Sequence, residues 1–439
     1  SIFKLPNETA LRNWTSTVNG EPGFFIDVFE ALKTLKLDNR DCNLVLDAMS
    51  IKKQVIWDKK AHKFIGYCDF GGQLNIEGSE TAATEALVFM LVGLTGKWKI
   101  PVGYVFQNKL NAMCQAQLVK AVLTLAHNSG LRVWGVTFDG AVTNFSTFKI
   151  LGCELSNNVE NCKPWIKHPV DNSQVFIIPD ACHMLKLARN TLGNTLVLES
   201  PSGLIKWNYF ENLHQLQTEM GLKFANKLTG VHIGWKKNKM KVKIAAQLLS
   251  SSTANALQFL LDNNFQQFKN SEATIQYCRV IDQIFDFLNS RNPFSKGYKT
   301  PIFRSNIGIL QDKIIPLINY LSTLKYKNQL LYMTNKKTFI IGFTAAVKSM
   351  FEVSKIIFTE NLNFKYILTY SFSQDHIEIL FGRFRQRFGA NNNPNVMQFK
   401  TAMKQILLKN AIKCSNNSNC NTFDEDITLS IFSFTWPSK

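Results

Sequence analysis

The stretch NLVLDAMSIKKQ, residues 43–54, ends an apolar run on an acid, Asp47. The run reads as a buried strand, and a carboxylate at the tip of one is disfavoured by desolvation unless it is paired, neutralised or holding a cation. The pattern recurs in LRVWGVTFDG, residues 131–140, where Asp139 closes a second apolar run. Ligands gather at the carboxyl ends of strands in open α/β sheets. Two carboxylates there repel each other, and a divalent cation relieves that repulsion; hard oxygen donors select Mg²⁺ or Mn²⁺. A third acid is expected on a helix packed against the same edge. SQDHIEILFGRFRQRF, residues 373–388, supplies Glu378, with Asp375 on the same helix face as its rival. Gly382 on this helix is expected to allow close approach to the sheet. Asp69 in GYCDFGG (66–72) rivals Asp47, although the glycines after it read as a turn.

Outward from these acids, the first half of the chain alternates. Residues 1–38 read as helical, with Asn7 or Thr9 as a cap in PNETALRNW and helical spacing in FFIDVFEALKTLKL. CNLVLDAMSI, KFIGYCDF, ALVFMLVGL and KIPVGYVF read as strands across 42–106. Residues 110–128 form an amphipathic helix stopped by Gly130. The strand ending at Asp139 follows, and then SQVFIIPDACHMLKLARN (173–190), a strand running into a helix. This is an α/β sheet pattern. Residues 200–370 change to long helical periodicity with few strand runs. The tail 389–421 is Asn-rich, with a helix near 398–412.

Composition narrows the function. The 439 residues are 45% hydrophobic, which excludes a disordered chain, and 50 Lys and Arg against 32 Asp and Glu give +18. A polyanionic partner, nucleic acid first, fits that excess. Nine Cys without a C-x-x-C pair fit a reducing compartment and argue against a zinc ribbon or disulfide scaffold. The pair Cys414 and Cys420 reads as loop thiols. No apolar run reaches the length of a membrane helix. No signal-peptide pattern opens the chain, and the start at Ser1 without Met is expected of a fragment. GLTGKWK (93–99) lacks P-loop spacing, so a nucleotide site must be built differently.

Six segments in order, LVLDAMSIKKQ, GVTFDGAVTN, HPVDNSQVFIIPDACHMLKLARN, KMKVKIAAQLLSSSTA, IFDFLNS and KYILTYSFSQDHIEILFGRFRQRFG, resemble the P-element transposase family and its THAP-type relatives. The resemblance implies an α/β RNase H-like catalytic core, a mixed sheet with flanking helices, interrupted by a mostly α-helical GTP-binding insertion domain. It implies Asp47, Asp139 and Glu378 as a metal-binding DDE triad for DNA hydrolysis and strand transfer. The 239 residues between Asp139 and Glu378 leave room for the insertion. Ala48 departs from members that carry Glu after the first Asp. The expected division is a helical segment over 1–40, core over 41–180, insertion over 181–368, closing core helix over 369–390 and a C-terminal segment over 391–439.

By similarity, Asp286 and Asn289 contact guanine, and Lys227, Lys241, Val242 and Asp375 belong to the cofactor-binding group, Asp375 as a partner of the metal ligands. GTP would assist assembly of the DNA complex, without implied hydrolysis. Lys236, Lys237 and Lys239 read equally as DNA or nucleotide contacts; Arg383, Arg385 and Arg387 read as DNA contacts or a solvated basic face. A homodimer on paired DNA ends, a nuclear location and no membrane partner follow from the likeness. A catalytically silent DNA-binding protein and a guanine-nucleotide-binding regulator stand as alternatives. The role of Asp180 and His183 in DACHMLK does not follow from the sequence; they could cap a helix or hold the insertion to the sheet.

Overall fold

Val, Leu, Ile and Phe on both faces of the central strands build a sheet covered on two sides, which is why these strands read as continuous apolar runs and not as alternation. The computed structural model describes residues 19–59, 61–72, 80–95, 98–361, 364–389 and 391–408. The Asn7/Thr9 cap and the Cys414–Cys420 loop lie outside them. The chain opens with β1 (Gly23–Phe24) and α1 (Ile26–Leu32), then β2 (Asp41–Ser50), β3 (Ile56–Asp58), β4 (Lys63–Ile65), β5 (Glu85–Gly93) and β6 (Lys99–Gln107). Next come α2 (Ala112–Asn128), β7 (Arg132–Phe138), α3 (Val142–Ile150), β8 (Trp165–Lys167), β9 (Gln174–Pro179) and α4 (Ala181–Thr195). The main sheet has seven strands in the order β1-β6-β5-β2-β7-β9-β8. β2 runs parallel to β7, and β7 to β9; the outer pairings are antiparallel.

One helix reading and one strand reading need revision. Residues Phe24 and Phe25 do not begin a helix: Phe24 pairs with Gly103 on β6, where a Cβ would lie 2.5 Å from the Phe24 ring. The bare glycine makes room for the extra edge strand, and α1 starts only at Ile26. KFIGYCDF is not one strand either. Gly66, at φ +113, would place a Cβ 2.2 Å from the Gln54 carbonyl oxygen, so the backbone turns there and β4 pairs only with β3 in a separate hairpin.

From Val197 the chain is mainly helical: α5 (Asn208–Glu219), α6 (Gly230–Ile233), α7 (Val242–Leu248), α8 (Ser251–Asp262), α9 (Glu272–Leu288), α10 (Ile307–Thr323) and α11 (Thr338–Glu360). A small four-stranded sheet, β10 (Val197–Ser200), β11 (Gly203–Lys206), β12 (Lys325–Tyr326) and β13 (Gln329–Leu330), lies among them. These strands are too short to show a period in the sequence. The long helix α11 packs back onto the main sheet, where Ser349 Oγ donates to the Ile177 carbonyl at 2.6 Å. Finally α12 (Asp375–Arg387) and α13 (Val396–Leu408) close the core, joined by Phe384 and Phe399 edge to face at 4.8 Å.

Glycine does not serve α12 as expected. A Cβ at Gly382 meets no atom within 4 Å, so this residue faces open space. Close approach occurs instead at Gly342 on α11, where a Cβ would lie 2.0 Å from Met184 Sδ. Gly382→Ala is therefore expected to stabilise the protein by about 0.5–1 kcal/mol. Gly342→Ala is expected to destabilise it by about 1–3 kcal/mol through overpacking. Urea denaturation of the two variants checks the contrast.

Candidate active site

Strand register brings the first two acids together. Val45 on β2 pairs in parallel with Thr137 on β7. Asp47 and Asp139 each stand two residues beyond that pair, so they share a sheet face on neighbouring strands, which lie about 4.8 Å apart. Asp139 is held by its own loop: Oδ1 accepts from the Ala141 amide at 2.9 Å and from Asn144 Nδ2 at 2.6 Å. Asn144 in turn accepts from Gln115 on α2. Asp47 Oδ1 accepts from the Ala48 amide at 2.8 Å.

The start of α12 is fastened to the same edge by buried hydrogen bonds. Thr137 Oγ1 donates to the Phe372 carbonyl at 2.8 Å and accepts from Asn43 Nδ2 at 2.9 Å. Gln374 Nε2 donates to the Leu46 carbonyl at 2.9 Å, and the Gln374 amide donates to Asp180 Oδ1 at 3.0 Å. The helix is thus tied beside Asp47, beside Asp139 and at the end of β9. Glu378, one turn into α12, projects from this anchored end, and its side chain reaches the surface.

Electrostatics link Asp47 to both of the other acids. Burial and then the charge of Asp139 push the Asp47 carboxyl up to about 7; His183 and the Ala48 amide oppose the shift, and Glu378 adds to it. Although the Glu378 side chain reaches the surface, desolvation by the protein crowded around it, then Asp180 and Asp375, raise its carboxyl, against Lys186 and His183. Five acids, with His183 and Lys186, from four segments therefore share one field. An acid cluster of this kind offers a hard-oxygen donor set that a divalent cation would neutralise.

Sequence reasoning left Asp180 and His183 without a role, and the structure supplies one. Asp180 is 1% exposed and caps α4, its Oδ2 accepting from the His183 amide at 2.9 Å and lying 3.1 Å from His183 Nδ1. Burial works against ionisation of Asp180. The His183 ring and the Gln374 and His183 amides outweigh it and hold the carboxyl below its usual range. Burial likewise pulls His183 down, but the Asp180 hydrogen bond and charge raise it overall, helped by Asp139. One buried carboxylate thus joins helix cap, sheet edge and the entry to α12. Only a cap signal was visible in the sequence; the bond to Gln374 spans 194 positions.

The other residues singled out in the sequence fall elsewhere. Asp375 is buried and paired with Arg291 Nη2 at 2.6 Å, while Cys182 Sγ lies 3.8 Å from its other oxygen. Arg291, which sequence reasoning missed, also lies over the Tyr370 ring at 4.1 Å. Arg387 donates to Gln405 on α13; Arg383 and Arg385 are half-buried along α12. Asp69 accepts from the Gly71 amide at 2.9 Å, closing the turn that its glycines suggest. In the insertion, Asp286 is pushed up to about 6 by burial and then by Asp282, against the Lys299 ammonium 3.3 Å away. Asn289 caps the same helix and accepts from Arg291 Nε at 3.2 Å. Lys241 and Val242 stand together at the start of α7, and Lys227 is exposed on a loop. Lys236 and Lys237 line a cavity of about 600 Å³ with Trp207, Glu211 and Trp235. Lys239 is exposed, and its carbonyl accepts from buried Arg189 at 2.9 Å.

Three family models match the chain in order: the TNP-like RNase H N-terminal domain over residues 20–152, the TNP-like GTP-binding insertion domain over 182–301, and the TNP-like RNase H C-terminal domain over 370–404. The human protein DNA transposase THAP9 is 31% identical over 410 residues, covering 91% of this chain and 45% of that protein. The Transposable element P transposase of Drosophila melanogaster is 24% identical over 423 residues, covering 95% of this chain and 52% of that protein. The chain thus spans about half the length of the curated relatives it matches. A solved structure, the Drosophila P element transposase strand transfer complex, superposes with a TM-score of 0.78 at 23% identity over 92% of this chain and 86% of that one. With these domains in this order on a split RNase H-like fold, the chain belongs to the P-element and THAP-type DNA transposase family.

Proposed function

We propose that this chain is the catalytic core of a cut-and-paste DNA transposase that hydrolyses phosphodiesters at transposon ends and joins the ends to target DNA. The convergence of Asp47, Asp139 and Glu378 at one sheet edge carries this reading. These three would hold the divalent cations, Mg²⁺ or Mn²⁺. Bound there, such ions neutralise the phosphodiester and lower the pKa of the attacking water or 3′-hydroxyl. The protein's own part is placement: Asn144 and the Ala141 amide orient Asp139, Gln374 and Asp180 fix α12, and His183 tempers the acid field. Lys236, Lys237, Lys239, Arg383, Arg385 and Arg387 are candidates for phosphate contacts that position DNA without reading its sequence. A dimer on paired ends and action in the nucleus belong to the same proposal. Among the described residues no helix is long and apolar enough to cross a membrane.

The test is cleavage of a labelled duplex bearing the element's own end, by the full-length protein. Cleavage with Mg²⁺ that stops on chelation is expected. Cleavage that persists in Glu378→Gln would reject the triad.

GTP is proposed as a bound cofactor, with Asp286 and Asn289 on the guanine and Lys227, Lys241 and Val242 around the nucleotide, while Asp375 serves as a partner of the metal ligands. An ionised Asp286 can accept from the guanine N1 and N2 donors, and a protonated one presents fewer acceptors. Because the Asp286 carboxyl is raised to about 6, GTP affinity is expected to fall as pH drops through that value. Asp286→Ala is expected to weaken GTP at least about 10-fold with little effect on ATP. Fluorescent-nucleotide titration at several pH values checks both.

A further inference from the structure

The end of the sheet opposite the acids carries a second cluster. His127 lies in the last turn of α2, just before β7 begins, and His168 and Asp171 lie in the turn that leads into β9. Asp139 and Asp180 follow the other ends of the same two strands. Ligand atoms of His127, His168 and Asp171 all lie within 4.8 Å of one another. His168 is buried, whereas the side chains of His127 and Asp171 are 38% and 45% exposed.

Hydrogen-bond chemistry limits what fills the cluster. His168 Nε2 lies 3.3 Å from the Leu123 carbonyl oxygen, which can only accept, so Nε2 carries the proton. A neutral ring then presents a lone pair at Nδ1. That atom lies 3.1 Å from Asp171 Oδ1, a second lone-pair bearer, with the Val170 amide at a long 3.3 Å from Nδ1. Asp171 Oδ2 is 3.7 Å from His127 Nδ1, and the two imidazole rings lie 5.1 Å apart at 38°. Ligand atoms of three side chains therefore gather within 4.8 Å of one another, and a cation among them would relieve the close approach of Nδ1 to Oδ1.

We propose that His127, His168 and Asp171 form a three-ligand site for a borderline transition cation, zinc by preference, which ties the end of α2 to the β8–β9 turn. Zinc bonds of about 2.0–2.1 Å in a tetrahedron set ligand atoms about 3.4 Å apart. His168 Nδ1 lies 3.1 Å from one Asp171 oxygen and His127 Nδ1 3.7 Å from the other, and one ligand atom from each residue falls within 4.8 Å of the rest, so small side-chain rotations would bring the set to that spacing. Two imidazoles and one carboxylate suit zinc and its neighbours over the all-oxygen preference of Mg²⁺. The outer contacts are those that metal ligands use. His168 gives its remote N–H to a backbone carbonyl, and Asp171 Oδ1 accepts from the Ser173 amide at 3.0 Å and Ser173 Oγ at 2.8 Å. The exposed side leaves a fourth position for water. This site is independent of the transposase reading.

Cobalt(II) titration of untagged, metal-free protein tests it, because tetrahedral cobalt absorbs visible light strongly and six-coordinate cobalt on carboxylates does so weakly. One equivalent with a tetrahedral spectrum is expected, displaced by Zn²⁺, with Zn²⁺ raising Tm by a few degrees. His127→Ala and Asp171→Asn should each weaken cobalt at least 10-fold and remove the zinc shift, while Asp47→Asn keeps both. Both altered positions are partly exposed, and circular dichroism without metal confirms that the variants fold. No tetrahedral spectrum in the unaltered protein, or one unchanged in both variants, overturns the site and leaves a protonated histidine–aspartate link.

Discussion

Asp47→Asn is expected to lower DNA cleavage by at least about 10³-fold while making the metal-free protein more stable at pH 8. Both effects have one cause. The Asp47 carboxyl keeps its proton to about pH 7 in the fold, because burial and the charge of Asp139 disfavour the anion. Unfolded, it would ionise near pH 4. This group therefore favours the folded state below about pH 4, and that contribution is lost as pH rises through 7. Above that, the ionised acid opposes folding by on the order of 1–3 kcal/mol. Asparagine keeps an oxygen to accept from the Ala48 amide and removes the charge. Thermal melts from pH 5 to 8 should show the unaltered protein falling relative to the variant. Adding Mg²⁺ should reverse the order, since metal binding to the folded state stabilises only a protein able to hold it. A variant that still cuts DNA, or that is destabilised by the charge loss at pH 8, would remove Asp47 from the proposed site.

How far the site could be read from the sequence depended on distance along the chain. Asp47 and Asp139 announced themselves locally, as acids at the ends of apolar strands. Glu378 was visible as an acid on an amphipathic helix. Its anchorage was not, because Gln374 reaches Leu46 across 328 positions and Thr137 reaches Phe372 across 235. No local pattern encodes such contacts. The sheet was legible because its strands are long and apolar. β1 was hidden inside a helical spacing, since pairing opposite Gly103 is a tertiary effect that overrides local periodicity. Gly382 looked like a packing glycine and is not; Gly342 looked ordinary and is. A glycine's neighbours come from other parts of the chain. His127, His168 and Asp171 went unread for the same reason, since one ligand lies on a helix distant in sequence from the turn that bears the others.

Arg291→Ala is expected to have the largest effect of any substitution outside the acid cluster. Arg291 follows the helix α9 of the insertion, and its guanidinium meets the carboxylate of Asp375, the first residue of α12, at 2.6 Å. The pair is 27% and 10% exposed, so solvent screens it weakly. Removing one partner of such a pair costs about 2–4 kcal/mol, because the other charge stays in a poorly solvated place. Asp375 also raises the Glu378 carboxyl. Without the arginine, that repulsion is less compensated, so Mg²⁺ affinity and cleavage should fall together with stability. Asp375→Asn removes the charge and should be milder. In Arg291→Ala with Asp375→Asn the loss should be smaller than the sum of the single changes, with a coupling of about 1–3 kcal/mol in urea denaturation. Additive losses would mean that the ion pair does not join the insertion to α12. The position of Glu378 would then rest on the Gln374 and Thr137 bonds alone, and severing the insertion's hold on α12 would leave metal affinity unchanged.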